Sequence, residues 1–263
     1  MDWMLNLPVI PMSAVIMVAV WIVTAITYLV VTRLAVGDRL RAFKAISPGM
    51  LPPLAVIFAL LVGFLAAQVW SDADRANTMV NREASALRAA VLLGDEFPAE
   101  TEHRLRALIR QHIQTAVREE WPAMARRDAT LTIVPTALAQ ALKLALDVEP
   151  HTPGQTIAQR ELVTAIQTVL ESRRQRIMLS ASTVDGVKWG ALLAQVILML
   201  IAIAMVHCDN RPANRIILAI FATGAAASLV LIAAYSRPFS GAIAVRPTLL
   251  QQVMPETGGA WGL

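Results

Sequence analysis

Four stretches of this chain contain no Asp, Glu, Lys or Arg: Trp3 to Thr32, Ala45 to Ser71, Trp189 to Val206 and Ile216 to Ser236. A bilayer core takes about 20 apolar helical residues, and about 18 without charge mark a candidate span. The pattern predicts membrane-spanning helices near 9–32, 51–70, 188–207 and 214–235. Trp3, Trp70 and Trp189 lie close to the proposed ends, where indole rings favour the interface. The first span is expected to be retained. Its leading flank carries Asp2 and no basic residue, and its apolar stretch exceeds the roughly 7–15 residues of a signal-peptide core.

Between the second and third spans the pattern changes. Residues 72–186 show apolar positions at helical spacing and no clear strand alternation. From Asp72 to Leu93 nothing interrupts a continuation of the second span, and Gly94 then stops it. Pro98 opens the next helix, whose apolar face holds Leu105, Leu108, Ile109, His112, Ile113, Ala116 and Val117. Trp121-Pro122 bends or restarts that helix, and Pro135 opens a shorter one reaching about Leu146. Glu149-Pro150-His151-Thr152-Pro153-Gly154 is the strongest breaker cluster, and Gln155 to Ser182 is again helical. The predicted class is therefore an all-α membrane protein, with four transmembrane helices and a helical extramembrane domain between the second and third. Its parts are residues 1–71 (two spans), 72–186 (helical domain), 187–236 (two spans) and 237–263 (a short tail, partly loose after Val245).

Composition agrees with this reading. Of 263 residues, 56% are hydrophobic and only 16% charged, against roughly 25% charged in soluble domains. That excludes disorder, a collagen-like repeat and a disulfide scaffold. The net charge of +4 and pI near 9.8 do not point to nucleic acid, because residues 72–188 carry as many acidic as basic residues. The surplus sits in the short loops: Arg33, Arg39, Arg41 and Lys44 after the first span, Arg211 and Arg215 between the last two. The positive-inside rule places both loops in the cytoplasm and residues 72–186 outside. The single cysteine, Cys208, permits no intramolecular disulfide.

Chemistry is sparse. His103, His112, His151 and His207 form no zinc-helix spacing, and there is no CxxC, HExxH, phosphate loop, dinucleotide fingerprint or nucleophile elbow. Nothing points to an enzyme, a metal site or a cofactor. His112, on an apolar helix side, reads as a satisfied packing residue. The dense polar clusters are Arg82-Glu83, Arg118-Glu119-Glu120 and Arg173-Arg174-Gln175-Arg176. They read either as solvated helix faces or as an interhelical ion-pair network around an ion vestibule. Arg173 and Arg176 share a side at i,i+3, while Arg174 points elsewhere.

Several separated motifs carry a resemblance. They are Leu60-Leu61-Val62-Gly63-Phe64, Trp70-Ser71-Asp72-Ala73-Asp74-Arg75-Ala76, Glu119-Glu120-Trp121-Pro122, Arg173-Arg174-Gln175-Arg176 and Ser236-Arg237-Pro238-Phe239-Ser240-Gly241. In this order, across about residues 50–253, the chain resembles the bacterial bestrophin-like domain family and, more distantly, bestrophin ion channels. The resemblance implies a bacterial inner-membrane protein, a pentamer of identical subunits, and a second transmembrane helix lining a narrow apolar neck. It carries the neck to Val56, Leu60 and Phe64, which share one helix face, and adds Arg237 to the polar network. Leu65 after Gly63-Phe64 departs from the pattern, and no acidic cluster resembles the calcium clasp of animal members. The resemblance also implies a cytoplasmic helical domain, opposite to the charge rule. Two functions stay open: an oligomeric ion channel, for anions by the arginine excess near the membrane, and a lipid-embedded helical sensor or scaffold acting through an unknown protein partner.

Overall fold

The computed structural model describes residues 8–44, 46, 48–132, 134–241 and 243–256. Trp3 and residues 257–263 of the expected tail lie outside them. The described residues are helical and contain no strand. In chain order the helices are α1 (Val9–Leu34), α2 (Asp38–Lys44), α3 (Leu51–Gly94, after a 3-10 turn at Pro48–Met50) and α4 (Ala99–Thr115). A π-turn (Ala116–Glu120) leads to α5 (Trp121–Arg126), followed by α6 (Thr136–Asp147), α7 (Pro153–Ser180), α8 (Gly186–Val206), α9 (Arg211–Tyr235) and α10 (Thr248–Gln252).

The chain divides into two compact units. The first is the membrane-helix unit, drawn from residues 1–71, 183–237 and 241–243. Among the described residues four helices are long and apolar enough to cross a membrane, α1, the segment Pro48–Gly94, α8 and α9; of the second, only the part up to residue 71, which holds the charge-free run, belongs to this unit. This is the all-α, four-span class that the charge-free runs predict. Its core is two apolar layers. Met12, Ile16 and Val20 of α1 join Leu65, Leu192, Ala222 and Ala226 in one; Val31, Leu200, Ala204 and Leu218 form the other.

Several polar side chains in these helices bond to helix carbonyls, as a lipid environment favours. Thr24 donates to the Val20 carbonyl at 2.8 Å and Ser13 to that of Val9 at 2.7 Å. Buried Asn214 donates to the Ala204 carbonyl at 3.2 Å. The Asn210 side chain caps α9 by accepting from the Ala213 amide at 3.1 Å.

The second unit is helical throughout and holds residues 72–182, with 238–240 and the described residues from 244 onward. Its core runs through Val80, Leu87 and Val91 of α3, Leu105, Ile109 and Ile113 of α4, Leu138 and Ala141 of α6, and Leu162, Ile166 and Val169 of α7. Gly94 closes α3, where an added Cβ would lie 2.9 Å from the Leu105 side chain. Thr152 caps α7, accepting from the Gln155 amide at 3.1 Å, and the Gln155 side chain accepts from the His151 amide at 2.8 Å. The first bond satisfies an amide that the first turn leaves open, and the second ties down the residue before the cap.

Phe239, Val245 and Leu250 are buried in the core of the helical unit, because three large apolar side chains close together lose more in water than the chain gains from freedom.

Candidate functional site

Two features, one in each unit, gather the chemistry. In the helical unit it is a buried ion cluster, assembled from four segments distant in sequence. Glu83 lies on the inner face of α3 among Val80, Ala84, Leu87 and Ala90. Those alanines admit a large guanidinium from α7. Arg173 and Arg176 lie on the buried face of α7, between Val169 and Ile177. Glu120 comes from the π-turn. The Trp121 amide bonds to the Ala116 carbonyl, five residues back, and Pro122, next along, has no N–H to offer the Arg118 carbonyl. The wide turn advances the register by one residue and sets Glu120 and Trp121 beside α7.

Arg176 is the centre. Its Nε donates to Glu83 Oε2 at 2.8 Å and its Nη2 to Glu83 Oε1 at 3.2 Å. Nη2 also donates to Glu120 Oε2 at 2.9 Å, and Nη1 to the Met124 sulfur at 3.6 Å. The guanidinium lies over the Trp121 ring, 4.5 Å from its centre. Arg173 Nε donates to Glu120 Oε1 at 2.7 Å. His112 Nε2 stands 3.0 Å from Glu83 Oε1; facing an ionised carboxylate, it is the donor. Trp121 Nε1 donates to the Val245 carbonyl at 3.0 Å, and its ring meets Phe239 edge-on.

Arg176 and Glu83 are fully buried. Two carboxylates and two guanidiniums cancel, which lets so much charge persist out of water. Burial pushes the Glu83 carboxyl up, but the Arg176 guanidinium and His112 outweigh it and hold the group below its ordinary 4.5. Burial likewise works against the Arg176 charge, and Glu83 and Glu120 overcome it, so its affinity for the proton rises. This is the chemistry of a lock: each charge is matched and each carboxylate already accepts.

Of the eight polar candidates, the fold brings together Glu83, Glu120, Arg173 and Arg176. Arg82, Glu119 and Arg174 are exposed. Arg237 is buried just after α9 and belongs to the membrane-helix unit. Sequence reasoning passed over His112, Met124 and Trp121 as cluster members. A histidine among Leu105, Ile109 and Ile113 was the available clue, since a buried ring nitrogen needs a polar partner.

In the membrane-helix unit, α3 presents the second feature. Only 11% of its most apolar eighteen residues are buried within the chain, against 28% for α1 and 39% for each of α8 and α9. One strip touches the unit: Leu65 and Val69 are buried, Phe58 meets Phe221 at 5.7 Å, and Trp70 meets Tyr235 edge-on. Lys188 donates to Gln68 at 2.8 Å and Gln195 to the Leu54 carbonyl at 3.2 Å. Val56, Leu60 and Phe64 lie off that strip, 57%, 55% and 72% exposed. They form a line about 12 Å long at the helical rise. A Cβ added at Gly63, beside them, would touch nothing.

The family model for the bestrophin-like domain matches residues 18–250. Solved structures of a bacterial bestrophin homologue from Klebsiella pneumoniae are similar in fold. Two single-substitution variants superpose with TM-scores of 0.72 and 0.67, at 12% and 13% identity; they cover 90% and 89% of this chain and 97% and 96% of theirs. The homologue phased with zinc gives 0.65 at 14% identity, over 93% of this chain and 96% of its own. No curated protein matches the chain.

The cluster generates a stability prediction. Glu83→Ala leaves Arg176 buried with half its acceptors gone and costs about 3–5 kcal/mol. Replacing the pair together, as Glu83→Leu with Arg176→Met, costs less than Glu83→Ala alone. Because the folded Glu83 pKa is depressed, its contribution is present above pH 4.5. It is lost as pH falls further, through the folded value. Melting in detergent by circular dichroism should show a midpoint that drops below that pH, with a shallower drop in Glu83→Gln.

Proposed function

Because the chain belongs to the bestrophin-like domain family, we propose that it assembles with copies of itself, five by resemblance, into an ion channel with α3 around the axis. Val56, Leu60 and Phe64 form the apolar neck. The observation that carries this reading is the uncovered face of α3. The chain packs α1, α8 and α9 together and leaves that helix bare along the very stripe that would line a pore. An apolar constriction admits ions only when it wets, so the neck also serves as the gate. Arg33, Arg39, Arg41, Arg211 and Arg215, exposed near the span ends, favour anions at the mouth. Exposed Ile22 and Ile26 of α1 and Ile216 and Ile220 of α9 meet the lipid of a bacterial inner membrane.

The short basic loops lie in the cytoplasm under this proposal and the helical unit outside, following the positive-inside rule. The ion cluster is the fixed core that holds the helical unit in one shape.

Purified protein in liposomes should pass chloride above the rate of empty liposomes, and Leu60→Ala/Phe64→Ala should raise that flux several-fold by widening and wetting the neck. No flux from either protein, with folding and insertion verified, rejects the channel in favour of a sensor or scaffold working through a partner. Sidedness has its own check, in spheroplasts of a Cys208→Ser background. A membrane-impermeant thiol reagent should label Arg174→Cys directly and Arg41→Cys only after permeabilisation; the reverse pattern places the helical unit in the cytoplasm.

A further inference from the structure

A groove of about 470 Å3 lies between α4 and α6 in the helical unit. That volume is within the ~300–1,000 Å3 of small-molecule sites. Its lining follows from helical spacing. Arg104, Ala107 and Leu108 stand at i, i+3 and i+4 on α4, and Gln140, Lys143, Leu144 and Asp147 at i, i+3, i+4 and i+7 on α6. Each set is one helix face. Beneath them Leu105, Ile109, Leu138, Ala141 and Ala145 are buried in the core. The two alanines keep that layer thin, and the longer side chains above leave a trough.

The trough is chemically two-sided. Its floor is apolar, from Ala107 and the half-buried Leu108 and Leu144. Its rim carries two cations, Arg104 and Lys143, and one anion, Asp147, all exposed. Among the described residues none of the three makes an ion pair or a side-chain hydrogen bond, although Lys143 and Asp147 are one turn apart. The rim is therefore net positive by one charge, with donors and one carboxylate still available.

We propose that this groove binds a small organic acid that has an apolar body and also carries a hydroxyl or ammonium group. The Arg104 guanidinium grips the ligand carboxylate through paired N–H donors, and Lys143 supplies the second positive charge. Leu108 and Leu144 take the apolar body, and Asp147 accepts from the hydroxyl or ammonium. Asp147 also repels a compact polyanion, and the apolar floor gives inorganic phosphate nothing to bury. The site stands whether or not the protein conducts ions, and its test reads binding alone.

The full-length protein in detergent micelles is titrated by calorimetry with four probes: leucine, 2-hydroxy-4-methylpentanoate, 4-methylpentanoate and inorganic phosphate. Saturable binding of leucine or of the hydroxy acid is expected, with 4-methylpentanoate, which lacks the second donor, about tenfold weaker or more. Arg104→Gln and Lys143→Gln should each weaken binding at least about tenfold with an unchanged melting midpoint, since both side chains are exposed. Asp147→Asn should bring the donor-bearing acids toward the affinity of 4-methylpentanoate. The proposal is overturned if neither leucine nor the hydroxy acid binds saturably, if both Gln variants bind like the native protein, or if phosphate binds as tightly as the organic acids.

Discussion

The membrane-helix unit depends on how the membrane part of α3 is covered. Lipid tails are as apolar as leucine, so a bare membrane helix is not driven to a partner by the hydrophobic effect; it associates where side chains and backbones pack closely. Here α1, α8 and α9 supply one another with that packing, and α3 receives a single strip of it, reinforced by Gln195 on the Leu54 carbonyl and Lys188 on Gln68. The opposite face is regular, with Val56, Leu60 and Phe64 one turn apart. Gly63 leaves space beside them for another helix to come near.

The helical unit is held in a different way. Its centre is ionic, and the ions are arranged so that no charge is left over. A buried pair of this kind adds little net stability, but removing one partner is costly, so the cluster enforces one arrangement of α3, α4, α7 and the π-turn. Trp121 extends the same centre: one face of its ring lies under Arg176, its N–H holds the Val245 carbonyl, and its edge receives Phe239. Residues far along the chain are thereby made part of the helical core.

Much of the fold was legible because membrane helices announce themselves by the absence of charge, and because Gly94, Pro98, Pro135 and the breaker cluster at 149–154 punctuate the rest. The long continuation of α3 was legible for the same reason: nothing between Ser71 and Leu93 interrupts it. The site was legible only in part. The side-sharing of Arg173 and Arg176 follows from helical geometry, whereas their partners Glu83 and Glu120 lie 93 and 53 positions away, and no local spacing announces a pairing that tertiary contact creates. Glu119 and Glu120 are adjacent acids that helical geometry points about 100° apart; which of the two turns inward is decided by the packing against α7, one exposed and one in the cluster. The packing of Phe239, Val245 and Leu250 into the helical core is likewise a tertiary contact that no local spacing announces.

The most direct test of the central claim is whether the bare stripe of α3 faces copies of itself. In a Cys208→Ser background, a membrane-permeant bifunctional thiol reagent is applied to Phe64→Cys and, as a comparison, to Val18→Cys, an exposed position on α1. A ring with α3 at its axis predicts a ladder of cross-linked species from Phe64→Cys that stops at the subunit number, with Val18→Cys remaining monomeric. Monomer from Phe64→Cys under conditions that label the thiol completely would contradict it.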